Sequence, residues 1–343
     1  MRILGIETSC DDTSVAIYDK KSGLIFHSIL HQNNVHKEFH GIVPELAARA
    51  HLDNLFFLIR QVCTKYLFDD NFNVKKNAFC SIAYTIGPGL AGSLLVGATI
   101  ARTLSLALNI PCIAVNHLEG HLFSAMLTSK NCSFPFLALL VSGANTQIIK
   151  VDNLGQYTVL GETLDDAVGH VFDYIAKLLG LGYEGGKKMS YLVKRGQTGK
   201  YFFPRPMTKQ SNLNFSFSGL KTHVKNVILK CSNLSHEKYN IAMAFEEAIV
   251  DTLIIKCTLA IQEHNVKNFL VCGGFSINHL LRKKLKILLQ NNNMRCFFSK
   301  KIFCTDNAAM IAYVGFLRYK LNLFSYDQSI KVYPTLLIND SFN

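Results

Sequence analysis

The most constraining feature of this chain is an order of elements that occurs twice. Arg2–Glu7, Thr13–Asp19 and Leu24–Leu30 each read as a strand, with Lys20–Gly23 as a turn. Pro44 suits a first helical position, and Leu46, Ala50, Leu55, Leu58 and Val62 follow at helical spacing. A strand over Ser81–Ile86, a glycine-rich turn, a helix to about Leu108, a strand over Pro111–Val115 and a short helix from about His117 complete the first half. Near Pro135 the order restarts. Strands are expected at Phe136–Val141, Thr146–Val151 and Tyr157–Thr163, then a helix over about Asp166–Leu179 and long helices within Lys238–His264. A strand at Asn268–Cys272 runs into Gly273-Gly274 and a helix, and a last helix starts near Asp306. Identity between the halves is slight, so the repeat is one of topology.

At about 100–200 residues per domain, 343 residues accommodate two such units. Two lobes of this kind around a cleft are the actin-like (ASKHA) α/β design. The expected division is residues 1–132, completed by a C-terminal helix over 306–325, and residues 133–305, carrying a basic insertion at 187–230. Hydrophobic residues at 49% against 17% charged exclude wholesale disorder. Glu7, Asp11 and Asp12 interrupt the short apolar start, which argues against a secretory signal. The longest apolar run, about Leu90–Ile100, meets Arg102 and reads as a core helix, so no membrane association is expected. Ten cysteines without a Cys-x-x-Cys pair, mostly in apolar runs, read as reduced structural thiols of a cytoplasmic protein.

Gly87-Pro88-Gly89-Leu90-Ala91-Gly92 matches Gly-x-Gly-x-x-Gly between a strand and a helix. A dinucleotide site also needs an acidic residue about 20 positions on. None occurs between Gly92 and Glu119, so a tight turn with close helix packing is the expected role. His117 and His121 in Val115-Asn116-His117-Leu118-Glu119-Gly120-His121 share a helix face at i and i+4 and can hold a divalent metal. Two hydrogen-bonded core histidines are the alternative. Glu119 points to nearly the opposite side, unlike the base of a zinc protease. A third ligand must come from elsewhere; Asp306 suits it, or is a plain N-cap. Glu7–Thr13 suits phosphate and metal handling, or a surface hairpin. Ser142-Gly143 and Gly273-Gly274 follow strands and could let backbone approach a ligand. Lys187–Lys230 holds ten Lys and Arg and no Asp or Glu, out of a net charge of +12. Tyr191, Tyr201, Phe202, Phe203, Phe215 and Phe217 are interleaved, an RNA-binding composition or a solvated face over core aromatics.

Eight segments carry a resemblance: LGIETSCDDTSVAIYD, GIVPELAARAH, TIGPGLAGSLLVG, VNHLEGH, LLVSGANTQ, FPRPM, FSFSGLK and CTDNAAMIAY. In this order, from Met1 to about Lys320, they resemble the bacterial tRNA N6-adenosine threonylcarbamoyltransferase (TsaD) family. The resemblance implies an actin-like fold and transfer of threonylcarbamoyl from threonylcarbamoyl-AMP to N6 of adenosine 37, in tRNAs reading codons that begin with A. It implies two protein partners, the paralogue TsaB and the ATPase TsaE. His117, His121 and Asp306 match the family's metal ligands, usually iron(II), and zinc is not excluded by donor type. Leu140, Val141, Ser142, Gly143 and Ala144 match its adenylate-phosphate loop. Asp173, Gly186 and Asn278 match residues holding the nucleoside, and Asp11 a carboxylate needed for activity.

The chain departs from the family pattern at Asp12 (usually Glu), Ala144-Asn145 (usually Gly-His), Ala308 (usually Gly), His170 (usually Glu) and Tyr174 (usually Lys). Alanine at a glycine position is costly where φ must be positive, which makes the phosphate loop the feature to inspect. The competing readings are an actin-like ATP-dependent kinase, which would not need the paired histidines, and a non-catalytic scaffold, which would lack the metal ligands.

Overall fold

The computed structural model describes residues 1–340 apart from His40, Lys76, Asn77, Lys130, Tyr183, Glu184 and Gln328, and Lys187 without its side chain. The chain divides into two compact units, Met1–Thr128 with Thr305–Asn343, and Ser129–Cys304.

In the first unit, β1 (Arg2–Glu7), β2 (Asp12–Asp19) and β3 (Gly23–His31) form an antiparallel meander. A single turn, α1 (Asn33–His36), leads to α2 (Pro44–Val62), with Pro44 at its first position as expected. Then come β4 (Ser81–Gly87), α3 (Ala91–Leu108), β5 (Cys112–Asn116) and α4 (His117–Phe123). β4 lies parallel to β1 and β5 parallel to β4, giving the order β3-β2-β1-β4-β5. Strands buried on both faces, such as β4, are near-continuous apolar runs, because helices cover a parallel sheet on each side.

The second unit repeats this plan. β6 (Phe136–Val141), β7 (Thr146–Asn153) and β8 (Gln156–Glu162) form the meander. α5 (Val168–Leu178), α6 (Gly185–Val193), α7 (Ser218–Lys230) and α8 (Leu234–Glu263) follow. β9 (Asn268–Cys272), α9 (His279–Asn291) and β10 (Arg295–Phe298) close the unit. β9 is parallel to β6 and β10 to β9, so the order β10-β9-β6-β7-β8 mirrors that of the first sheet. The chain then returns to the first unit with α10 (Ala308–Lys320).

Several elements differ from the sequence reading. The long helices expected within Lys238–His264 are one 30-residue helix, α8, starting four residues earlier. Its buried residues lie all round the axis, so it shows no one-sided apolar stripe. α1, α6, α7 and β10 were unmarked: α1 is a single turn, α6 is nine residues long, α7 mixes its three buried residues with lysines, and β10 is a four-residue edge strand whose pairing is non-local.

The Gly87–Gly89 turn packs as tightly as the sequence implies. A Cβ on Gly87 would lie 2.0 Å from the Tyr333 carbonyl oxygen, and one on Gly89 2.4 Å from that of Ser9. α3 is long and apolar enough by length and composition to cross a membrane. However, it carries Arg102, buried with its guanidinium on the Asp327 carbonyl and the Tyr84 hydroxyl, as a core helix of this unit would.

Candidate metal centre

β5 delivers the chain to α4 through Asn116, whose Oδ1 accepts from the Leu118 backbone N–H at 2.8 Å, an N-cap. All seven residues of α4 are buried. His117 and His121 fall on one face, their rings edge to face at 4.8 Å between centroids. The third group arrives from the start of α10. There the N-cap is Asn307, which accepts from Met310 N–H at 3.0 Å, and not Asp306. Because its neighbour caps the helix, the Asp306 carboxylate turns to the histidines. Its Oδ1 lies 3.3 Å from His117 Nε2 and 3.1 Å from His121 Nε2. One donor atom from each of the three residues falls within 4.8 Å of the others.

Three Lewis bases aimed at one another repel unless a cation or a proton stands between them. Burial opposes charge on His117, but the carboxylates of Asp306 and Glu7 outweigh it and hold the ring well above the usual histidine range. Burial likewise opposes charge on Asp306, and the two imidazoles overcome it, keeping the carboxyl far below the usual range. His121 Nδ1 is buried without a hydrogen-bond partner. Two imidazoles and a carboxylate converging this way fit a divalent metal, with the donor set of a facial triad.

Around these three is a shell drawn largely from the Glu7–Thr13 segment, whose individual contacts the sequence did not disclose. Glu7, fully buried at the end of β1, takes His117 Nδ1–H on Oε2 at 3.1 Å, and Ser9 Oγ lies 3.2 Å from the same nitrogen. This holds the proton on Nδ1 and leaves Nε2 as the atom that would face a metal. Thr85 donates to Glu7 Oε2 at 2.5 Å and Ser9 N–H to Oε1 at 2.6 Å, so both oxygens are satisfied. The sequence marks Glu7–Thr13 for phosphate and metal handling or a surface hairpin, and nothing local pairs Glu7 with His117. His51 on α2 pins the hairpin, with Nε2 on the Cys10 carbonyl at 2.9 Å and Nδ1 on Thr13 Oγ1 at 2.7 Å. Asp11, in the same hairpin, has its pKa raised by burial and then by the charge of Asp306. Asp12 pairs with His31 at 2.7 Å, yet burial pushes its pKa up to about 6. Burial, then Asp306 and Asp11, push the Cys10 thiol up, so it is a poor nucleophile. Glu119 faces away from the triad as expected, in a buried pair with Arg318 at 2.9 Å.

The other sequence-selected residues lie in the second unit. Leu140 and Val141 end β6, and Ser142, Gly143 and Ala144 form the loop after it. Asn145 N–H donates to Ser142 Oγ at 3.1 Å, and His170 N–H to the Gly143 carbonyl at 3.1 Å. Ala144 is not among the described residues with positive φ, so alanine in place of glycine brings no backbone strain. Asp173 and Gly186 are brought together: Gly186 N–H donates to Asp173 Oδ1 at 3.0 Å. Asn278 caps α9 through Leu281 N–H at 2.9 Å, and its Nδ2 donates to buried Glu246 at 2.7 Å.

The basic stretch divides. Arg205 pairs with Asp251 at 2.7 Å, and Lys221 pairs with Asp166. Phe203, Phe215 and Phe217 are core, whereas Tyr191 and Phe202 are 70% and 80% exposed. Lys194 lies by the Tyr191 ring, and Arg195 by that of Tyr239. The serines of the FSFSGLK segment serve the fold. Asp165 accepts from Ser216 Oγ at 2.5 Å, Phe217 N–H at 2.8 Å and Ser218 Oγ at 2.7 Å at the start of α7.

Comparison with known proteins gives a family and a fold. The model of the family TsaD: tRNA N6-adenosine threonylcarbamoyltransferase matches residues 23–313. The chain is 65% identical over 343 residues to the tRNA N6-adenosine threonylcarbamoyltransferase of Buchnera aphidicola subsp. Cinara cedri (strain Cc), covering 100% of this chain and 99% of that one. It is 49% identical to the protein of the same name from Wigglesworthia glossinidia brevipalpis, over 99% and 98%. Among solved structures, full-length HypF in its phosphate- and nucleotide-bound form is similar at a TM-score of 0.61 and 14% identity, over 94% of this chain and 47% of HypF. Component A of the Acidaminococcus fermentans (R)-2-hydroxyglutaryl-CoA dehydratase is similar at 0.51 and 16%, over 91% and 96%. At these identities the two structures speak for the actin-like fold alone.

Proposed function

The chain belongs to the tRNA N6-adenosine threonylcarbamoyltransferase (TsaD) family, and from that premise we propose how its own residues serve the transfer. The enzyme is a transferase acting on tRNA. Its proposed donor is threonylcarbamoyl-AMP and its acceptor N6 of adenosine 37, in tRNAs reading codons that begin with A, with AMP released. The observation that carries the reading is the convergence of His117, His121 and Asp306 on one point, backed by Glu7. The donor set favours iron(II), with zinc the alternative.

An exocyclic adenine amine is a weak nucleophile, because its lone pair is delocalised into the ring. The carbamoyl group must therefore come activated, and a carbamoyl–phosphate anhydride is. A metal held by His117, His121 and Asp306 would supply Lewis-acid stabilisation of charge on the phosphate. Asp11 is the proposed general base or amine orienter, and its raised pKa suits a group that takes a proton. Backbone N–H groups of Ser142–Ala144 would bind the phosphate and stabilise charge on the carbonyl oxygen in the transition state. Asp173, Gly186 and Asn278 would hold the nucleoside; for Asn278, only capacity beyond its helix cap and its bond to Glu246 remains for this. No covalent acyl-enzyme is required, which agrees with the unreactive Cys10 thiol.

The proposed partners beyond tRNA are TsaB and TsaE, in the cytoplasm. The test is transfer from purified threonylcarbamoyl-AMP to unmodified tRNA, with and without TsaB, for wild type and His121→Ala. Loss of both metal and transfer in a folded His121→Ala protein is expected. Full metal content or full transfer in that variant would overturn the assignment.

A further inference from the structure

The family model ends its match at residue 313, yet the segment after α10 is laced into the part of the first unit that carries His117. Ser325 exchanges backbone hydrogen bonds with Cys112 at the start of β5, at 2.9 and 3.1 Å. Further along, Tyr333 N–H donates to the Ile86 carbonyl at 2.8 Å, and Gly89 N–H donates to the Pro334 carbonyl at 3.1 Å. Asn116 Nδ2 donates to the Leu337 carbonyl at 2.9 Å. Leu336 and Ile338, 7% and 4% exposed, anchor the strap by burial.

These bonds converge on one imidazole by two routes. Asn116 is the N-cap of α4, so the bond to Leu337 holds the residue that sets where α4, and with it His117, begins. The other route runs through the Gly87–Gly89 turn. The strap holds Gly89, Leu90 N–H donates to the Ser9 carbonyl at 2.8 Å, and Ser9 Oγ lies against His117 Nδ1. The absence of a Cβ at Gly87 is what lets the Tyr333 carbonyl come this close. A seven-residue helix is too short to hold its own direction, because half or more of its backbone groups are terminal. Its orientation must be imposed from outside.

We infer that residues 333–338 are a positioning strap for the metal-binding His117, acting through Asn116 and through the Gly87–Gly89 turn and Ser9. This rests on the metal reading above and extends it to residues that touch neither metal nor substrate. Metal-site outer partners commonly change affinity about 10- to 100-fold when lost.

The experiment uses full-length protein loaded with Co2+, whose affinity is read by chelator competition and whose coordination is read by its visible absorption. Asn116→Ser keeps a cap oxygen for Leu118 N–H and removes the donor to Leu337. Leu336→Ala with Ile338→Ala loosens the strap and leaves Asn116 intact. Each is expected to weaken Co2+ binding about tenfold and to alter the absorption bands, with the metal-free melting temperature of Asn116→Ser lowered by only a few degrees. Combined, they should cost less than the sum of their separate effects, since both act through one strap. Wild-type cobalt affinity and spectrum in Asn116→Ser, or full additivity, would overturn the inference. Should the Leu336/Ile338 variant fail to fold, Asn116→Ser decides alone. A wild-type protein that takes up no cobalt would refute the metal reading itself, and the strap with it.

Discussion

Replacing Glu119 with alanine tests whether α4, the helix of His117 and His121, is held by charge or by packing. Glu119 is fully buried on α4 and accepts three hydrogen bonds from Arg318 on α10, at 3.1, 3.1 and 2.9 Å. Arg318 is itself only 8% exposed. Truncation leaves a buried guanidinium without its counter-charge, which costs about 3–5 kcal/mol. At roughly 2–4 °C per kcal/mol for a unit of this size, the expected drop in melting temperature is about 6–20 °C. The chain has no tryptophan, so far-UV circular dichroism is the appropriate readout. Replacing the pair together by Glu119→Leu and Arg318→Met removes both charges and keeps volume. Such exchanges are often neutral or stabilising, so this double variant should melt well above Glu119→Ala. A Glu119→Ala protein melting within about 2 °C of wild type would refute the argument, because an uncompensated buried charge cannot be that cheap.

Asp11→Asn keeps size and removes charge. It should lower the transfer rate on the order of 100-fold or more if Asp11 handles a proton, with adenylate affinity, measured by calorimetry, nearly kept. The Asp165 carboxyl is held at about 2: burial would raise it, but Ser216, Phe217 N–H and Ser218 outweigh that. Since the folded value lies below the unfolded value of about 3.9, its stabilisation is complete above about pH 5 and is lost as pH falls toward 2. Asp165→Asn should therefore flatten melting temperature against pH between about pH 5 and 2, by about 1 kcal/mol or less because water screens this exposed group; an unaltered profile would count against these hydrogen bonds to Asp165. With Arg205 and Lys221 committed to aspartates, about four phosphate contacts from the rest of the basic stretch give a slope of log tRNA affinity against log salt near about −3. Reversing Lys194, Arg195 and Lys200 to Glu should flatten that slope, and identical slopes would move tRNA docking to another surface.

Much of this protein is local and therefore legible in the sequence. The strands of both meanders, the proline that starts α2 and the i, i+4 pair of His117 and His121 follow from periodicity and backbone preference within a few residues. The family motifs carried Asp306 as the third ligand, but spacing left it between ligand and cap. At α10 Asn307 takes the cap, and the neighbouring Asp306 carboxylate lies against the histidines. Glu7, 110 residues from His117, could be matched to it only once β1 and β5 were in one sheet. The same holds for Arg318, 199 residues from Glu119, and for Leu337, 221 from Asn116. Local propensity reaches only a few residues along the chain. Which buried charge meets which partner, and which aspartate at a helix start is left free, is decided by tertiary packing, since an unpaired polar group in the core costs more than any local preference supplies.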